Sequence, residues 1–154
     1  MTIRPAGASD WARIGDLAEV LVAAHYAYDD SRFIPLERLR GDVYTSRVRE
    51  IVAGGHGTVL VADVDGRIVG YVFAGVEPEN WKELRDEAGY VHDLVVDESA
   101  RRGGVGAALL ESAIAWFQSR GVTRVMLWTA PQNVQAQSLF RRMGFRTTMM
   151  EMTR

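Results

Sequence analysis

The chain has 154 residues, the length of one ordinary domain, and its 47% hydrophobic content supplies a core and excludes a disordered chain. Cysteine is absent, and the three histidines, His25, His56 and His92, lack paired-ligand spacing. Disulfides, thiolate nucleophiles and a zinc site are thereby excluded, and no metal is expected. The net charge of -2 argues against a nucleic-acid binder, but it hides an asymmetry: residues 1–97 hold 17 acidic and 10 basic side chains, residues 98–154 hold 3 and 8. A basic C-terminal part suits an anionic ligand and an acidic N-terminal part a cationic one, although both are equally the signature of solvated faces.

No apolar run reaches the roughly 18 residues of a membrane span, so no membrane partner is expected. Met1 to Asp10 lacks a signal-peptide segment, which makes the expected location cytoplasmic. No repeat or linker breaks the chain, and residues 1–154 read as a single domain.

In chain order, Thr2 to Arg4 reads as a short strand. Ser9 or Asp10 reads as an N-cap for a helix with Trp11, Ile14, Leu17, Ala18, Leu21 and Val22 at helical spacing. That helix is expected to give way to the aromatic and acidic stretch His25 to Phe33. Pro35 suits the start of a second helix through Leu36, Leu39, Val43, Val48, Ile51 and Val52, closed by Gly54-Gly55. The period then changes: 58–62 and 68–76 read as strands around an Asp65-Gly66 hairpin turn, and 90–96 as a third. A helix follows Gly106 and ends at Gly121. A strand over 125–129, a helix over 133–143 and a last strand over 145–152 complete the order β-αα-βββ-α-β-α-β. The fold class is α/β, a central mixed sheet flanked by helices.

The most informative segment is strand, then Arg101-x-x-Gly104-x-Gly106, then helix. A helix start leaves backbone N–H groups without intrahelical partners and carries partial positive charge. Glycines let a phosphate approach the backbone closely, and Arg101 and Arg102 add charge there. A dinucleotide fingerprint fails, because Leu109 stands near the place of the third small residue and no aspartate follows Asp97. A phosphate loop of the Gly-Lys-Ser/Thr kind fails too, because Lys82 is the only lysine. Glycines serving only a tight turn remain the plain alternative.

The run Leu94-Val95-Val96-Asp97-x-x-x-Arg101-Arg102-Gly103-Gly104-Val105-Gly106-Ala107-Ala108-Leu109-Leu110 resembles the acetyl-CoA motif of the GCN5-related N-acetyltransferases. A second match, Asn133-x-x-Ala136-x-x-Leu139-Phe140-x-x-x-Gly144-Phe145, follows at the family's spacing. Asp65 to Tyr71 resembles the family's second-to-third strand hairpin. The resemblance covers roughly residues 58–145 and implies an acyl-CoA acyltransferase fold that moves an acetyl group from acetyl-CoA, as cosubstrate, to an amine. It implies that Leu94, Val95 and Val96 offer backbone groups to the pantetheine arm like an added strand. It further implies that N–H groups from Arg102 to Ala107, Gly103 and Val105 included, hold the pyrophosphate. Asn133 matches a position that contacts the CoA arm, and it reads equally as an N-cap. A homodimer is expected from family habit.

The amine attacks only as the free base, so the site gains from a proton acceptor and from a donor for the leaving sulfur. His92 is the leading acceptor candidate, because imidazole titrates near working pH. Strand alternation places it on the face of Leu94 and Val96, with Asp93 opposite unless a bulge intervenes. Asp93 is the second candidate. Phe140 departs from the resemblance: many relatives carry tyrosine there, and phenylalanine fills the space and contacts the pantetheine but has no proton to give. Either water or another group protonates the thiolate, or the chain is a catalytically weak or silent acyl-CoA-binding sensor. For the acceptor, a small-molecule or peptide amine, Asp29 and Asp30 could attract the ammonium while Tyr26 and Trp128 wall it. The bland alternative for these residues is a solvated loop and core aromatics.

Overall fold

The computed structural model describes residues Met1–Arg154. Five strands form one sheet in spatial order β1-β2-β3-β4-β5: β1 (Thr2–Pro5), β2 (Gly57–Val64), β3 (Arg67–Glu77), β4 (Ala88–Val96) and β5 (Val125–Leu127). The first four pair antiparallel, and β5 joins β4 in parallel after the crossover helix α3 (Val105–Gln118). Helices α1 (Trp11–Tyr28) and α2 (Gly41–Ala53) cover one face; α3 packs on the other with α4 (Val134–Arg142) beside it. No helix is long and apolar enough to cross a membrane.

Both faces of the sheet are buried, so β2 and β3 read as nearly unbroken apolar runs. Successive residues take opposite sides: Val59, Val61, Tyr71, Phe73 and Val95 pack against Ile14, Leu17, Tyr44 and Val48 of α1 and α2. Leu60, Ala62, Val72, Ala74 and Val91 pack against Leu109, Leu110, Ala113 and Phe117 of α3. The β2–β3 turn is made by Asp65 and Gly66, both at positive φ, and Gly66 N–H donates to the Asp63 carboxylate at 2.8 Å, the hairpin expected from Asp-Gly. At the N-terminus the buried Asp10 accepts from Arg4 at 2.6 Å and from Gly7 N–H at 2.7 Å, while Arg4 also reaches Asp63. That ion-pair group ties β1 and β2 to the start of α1.

The helix boundaries differ from the sequence pattern in two places. α1 runs on through His25 and Tyr26 to Tyr28, where the His25 ring bonds the Leu21 carbonyl at 2.9 Å, and the chain turns only at Asp29, whose N–H donates to the His25 carbonyl. After Pro35 only a short 3-10 turn, Leu36–Arg38, forms; Leu39 leaves the helical conformation and Arg40 is extended. The regular helix begins at Gly41, where Glu19 of α1 caps the Gly41 N–H at 2.9 Å. The last strand expected over 145–152 does not form: the segment has no strand neighbour, and Met149 and Met150 are exposed. β5 is likewise shorter than expected, ending at Leu127.

α1 and α2 meet at a glycine pair. A Cβ on Gly41 would stand 2.6 Å from the Gly15 carbonyl oxygen, whereas one on Gly15 would stand 3.3 Å from Gly41 oxygen. Gly41→Ala should therefore force the helices apart and cost about 1–3 kcal/mol, and Gly15→Ala should cost less. Urea unfolding midpoints of the two variants measure the difference; equal, negligible losses would show that the helix contact is looser than this packing requires.

Candidate functional site

The site is organised by where β4 loses a neighbour. β4 pairs with β5 only at Gly89, Tyr90 and Val91, while its pairing with β3 continues through Val96. From His92 to Val96 the edge of β4 that faces β5 thus has no strand partner, and the sheet opens there. Leu94 and Val96 direct their side chains to the α3 cluster and Val95 to the α1/α2 cluster. An extended chain laid in this opening would find β4 backbone groups on one side.

Immediately beyond β4, Asp97 fixes the chain's direction. One carboxylate oxygen accepts from Ser99 N–H at 3.0 Å and from the Ser99 hydroxyl at 2.6 Å; the other is held by Arg13 of α1 and by Arg67 at 3.3 Å. The Ser99 hydroxyl, the Ser99 N–H and the two guanidinium groups hold its ionisation down at about 2. Arg101 then returns a hydrogen bond to the Val96 carbonyl at 3.3 Å. Arg102 lies at φ +65° and Gly104 at φ +80°, and α3 starts at Val105. The left-handed conformation at Gly104 is one that an L side chain adopts at a cost of roughly 1–2 kcal/mol.

None of the backbone N–H groups from Arg102 to Ala107 has an acceptor within the protein; the first bond of the helix runs from Ala108 N–H to Gly104 oxygen at 3.0 Å. Val105 is buried beneath the loop, while Arg101, Arg102, Gly103 and Gly104 are exposed. Consecutive unpaired donors at a helix N-terminus with two arginines beside them make a fitting cradle for a diphosphate. On the neighbouring α4, the Asn133 side chain accepts from Ala136 N–H at 3.2 Å, so it does cap that helix. Phe140 is buried in the α3 cluster with its ring edge-on to Phe145 at 6.0 Å.

The other half of the site comes from an irregularity in β4. Phe73 pairs with Asp93, but Ala74 pairs with Val91, so His92 is an extra residue, a β-bulge. Simple alternation, which put His92 on the face of Leu94 and Val96, is corrected by this: the bulge brings His92 and Asp93 both to the α1/α2 side. The imidazole stacks between Phe73 at 4.6 Å and Tyr90 at 5.0 Å, and its Nε2 lies 3.3 Å from a Glu77 carboxylate oxygen. Gly75 leaves room for the ring, since a Cβ there would approach Nε2 to 3.2 Å. Burial pushes the His92 ionisation down, against the pull of Glu77 and Asp93, and the ring is therefore a neutral acceptor at neutral pH. Asp93 is half-buried, accepts from the Tyr44 hydroxyl, and is pushed up by desolvation.

Around this centre stand aromatics from three elements. Trp128 is exposed and edge-on to Tyr90 at 6.0 Å; His25, near the end of α1, meets Phe33 at 5.0 Å and Tyr28 at 5.6 Å. The Tyr90 hydroxyl is buried without a partner. Of the acceptor candidates, Trp128 reaches the centre through Tyr90. The Asp29 carboxylate instead closes a turn, accepting from Ser31 N–H and Oγ and from Arg32 N–H, while Tyr26 and Asp30 are exposed. The sequence reading missed Tyr44, Tyr71, Glu77 and Tyr90. Only Tyr90, two residues before His92, carried a local signal; the others arrive from distant segments.

The model of the acetyltransferase (GNAT) family matches residues 21–145. A mycothiol acetyltransferase of Saccharomonospora viridis is 31% identical over 100 residues, 64% of this chain and 33% of that protein. The uncharacterized N-acetyltransferase MJ1207 of Methanocaldococcus jannaschii is 33% identical over 88 residues, 56% of this chain and 38% of its own length. The chain thus spans about a third of the length of these curated relatives. A crystal structure of a BH1408 mutant protein from Bacillus halodurans superposes with a TM-score of 0.87 at 26% identity, covering 99% of this chain and 98% of that one. An aminoglycoside N-acetyltransferase in complex with CoA shares the fold, with a TM-score of 0.80 at 19% identity over 99% of this chain and 92% of that one.

The Asp97 anchor gives an acid-stability signature. Its folded ionisation lies near 2, below the ordinary value of 3.8, so its contribution is fully present above the ordinary value and is lost as pH falls through about 2. Asp97→Asn should be less stable than the parent at pH 7 and should lose less stability on acidification from pH 4 to 2. Denaturant midpoints across that range check it; parallel acid limbs would remove Asp97 from the loop's support.

Proposed function

The chain belongs to the acetyltransferase (GNAT) family, and on that premise we propose that it moves an acetyl group from acetyl-CoA to a primary amine of a small molecule or peptide. The observation that carries this reading is the juxtaposition of two features along one strand. The run of unpaired N–H groups from Arg102 to Ala107 lies just beyond its end, and a neutral, half-buried imidazole stands in its bulge. Acetyl-CoA supplies an activated thioester. In this reading Arg102 to Ala107 bind its pyrophosphate, Arg101 and Arg102 add charge, and the open edge at Leu94, Val95 and Val96 aligns the pantetheine arm.

His92 takes a proton from the incoming ammonium. The free amine then attacks the thioester carbonyl, the nitrogen of the tetrahedral adduct gives its surplus proton to solvent, the C–S bond breaks, and the sulfur leaves with a proton from solvent, because the buried Phe140 has none to give. Positioning the two reactants supplies much of the acceleration, which makes the missing acid tolerable. Asp93 serves the base from within the protein. The acceptor enters on the side of Glu77, Tyr90 and Trp128, where carboxylate and aromatic faces suit a cation. The name of the mycothiol acetyltransferases is in keeping with a small-molecule acceptor.

Gly104→Val should leave a folded protein that has lost most of its affinity for acetyl-CoA, because the new side chain must adopt a positive φ. Calorimetric titration reads the affinity, and an unchanged Kd would sink the cradle assignment. His92→Ala should lower kcat/KM at neutral pH by about 10²-fold or more and regain activity at higher pH, where more amine is already deprotonated. Thiol release across a panel of amines measures this; binding without turnover on any amine would favour a sensor of CoA metabolites instead.

A further inference from the structure

Asp93 lies beside the bulge, half-buried, and turns its carboxylate toward Tyr44, a member of the apolar cluster that α1 and α2 close over the sheet. A carboxylate in such a place needs hydrogen-bond donors to remain charged. Neither an arginine nor the lysine pairs with it. Its donor is the Tyr44 hydroxyl from α2, and the Tyr44 oxygen in turn accepts from the Tyr71 hydroxyl of β3 at 3.1 Å. Each phenol has a single proton, so the order is fixed: Tyr71 donates to Tyr44, and Tyr44 donates to Asp93. Both tyrosines are buried, 8% and 0% exposed, and burial beside Asp93 pushes their ionisation far up, so neither competes for the charge.

We propose that Tyr44 and Tyr71 are positioning residues, a two-hydroxyl chain that holds Asp93 as a fixed anion beside the His92 imidazole. The proposal rests on the reading of His92 as proton acceptor. When the imidazole takes the ammonium proton it becomes a cation, and a negative charge already locked in a low-dielectric surrounding stabilises that cation without reorganisation. The groups that face this pair are few. Asp93 faces Tyr44 from α2, Tyr71 from β3, His25 from α1 and His92 itself. His92 faces Glu77 from the end of β3, Asp93, and the rings of Phe73 and Tyr90. Glu77 is partly exposed to solvent, so Asp93 is the anion whose charge depends on the protein interior.

The test is an NMR titration of the His92 ring in the full chain, with the pH profile of kcat/KM beside it. In Tyr44→Phe the Asp93 carboxylate loses its donor and takes up a proton more readily. His92 then becomes less basic, and its titration should move to lower pH by about one unit, a tenfold change in proton affinity. Asp93→Asn should give the same displacement, and the double variant should move no further than Asp93→Asn alone. Tyr71→Phe should shift it in the same direction by less. A purely structural role would lower the unfolding midpoint without moving the titration. A His92 titration unmoved or raised in folded Tyr44→Phe overturns the proposal. If Tyr44→Phe fails to fold, Tyr71→Phe decides the matter by the same criterion, because it leaves the Tyr44–Asp93 bond in place. Failure of the underlying reading shows separately, in a kcat/KM profile that His92→Ala leaves unchanged.

Discussion

β4 cannot pair with both of its neighbours along its whole length, and the rest of the structure follows from where that pairing stops. After Val91 the strand keeps β3 and loses β5. The same place carries the bulge at His92, which turns two consecutive polar side chains toward one face. Backbone groups are costly to leave unpaired inside a protein, so an open strand edge in the middle of a fold is a demand for a partner. The loop from Arg102 to Ala107 makes the same demand with its row of free N–H groups. Two such demands, separated by only a few residues of the chain, are what distinguish this sheet from one that only closes a core.

The two faces divide the work of holding this region. On one side α3 packs so closely that a Cβ on Gly70 would come within 3.2 Å of Leu109 and one on Gly89 within 2.6 Å of Phe117. On the other side α1 and α2 reach β4 and the residue after it through polar contacts: Arg13 to Asp97 at the loop end, Tyr44 to Asp93 at the bulge. Apolar packing is non-directional and fixes the distance between layers. The polar contacts fix direction, and they fall on the residues that border the opening.

The parts of this arrangement that were legible in the sequence are those enforced by local backbone chemistry. The glycine loop, the Asp-Gly hairpin and the apolar faces of α1 and α3 all announce themselves through residues that few other contexts tolerate. The bulge does not, because Val91-His92-Asp93-Leu94 reads as an ordinary strand and its extra residue is visible only against the register of β3. The Tyr71–Tyr44–Asp93 chain was illegible for a related reason: its members lie on three elements and meet only when the layers close. The strand expected at 145–152 failed in the opposite sense, since its residues have strand propensity but no edge to pair with. The start of α2 was misplaced because Pro35 is a good first residue for a helix, whereas the packing of Gly41 against Gly15 and its capping by Glu19 decide where that helix begins.

The bridge from Arg13 to Asp97 spans 84 positions of the chain. Closing so long a loop has an entropic cost that must be met before the contact can form. The intervening hairpins of β2, β3 and β4 meet it piecemeal, each being a local pairing of neighbours. The contact therefore couples the docking of α1 to the end of β4. A nascent or partly unfolded chain with a formed sheet but an undocked α1 would lack the arginine that steers the segment after Val96. The support of this segment thus depends on α1 being docked, and local opening at the N-terminal helix would release Asp97 from Arg13.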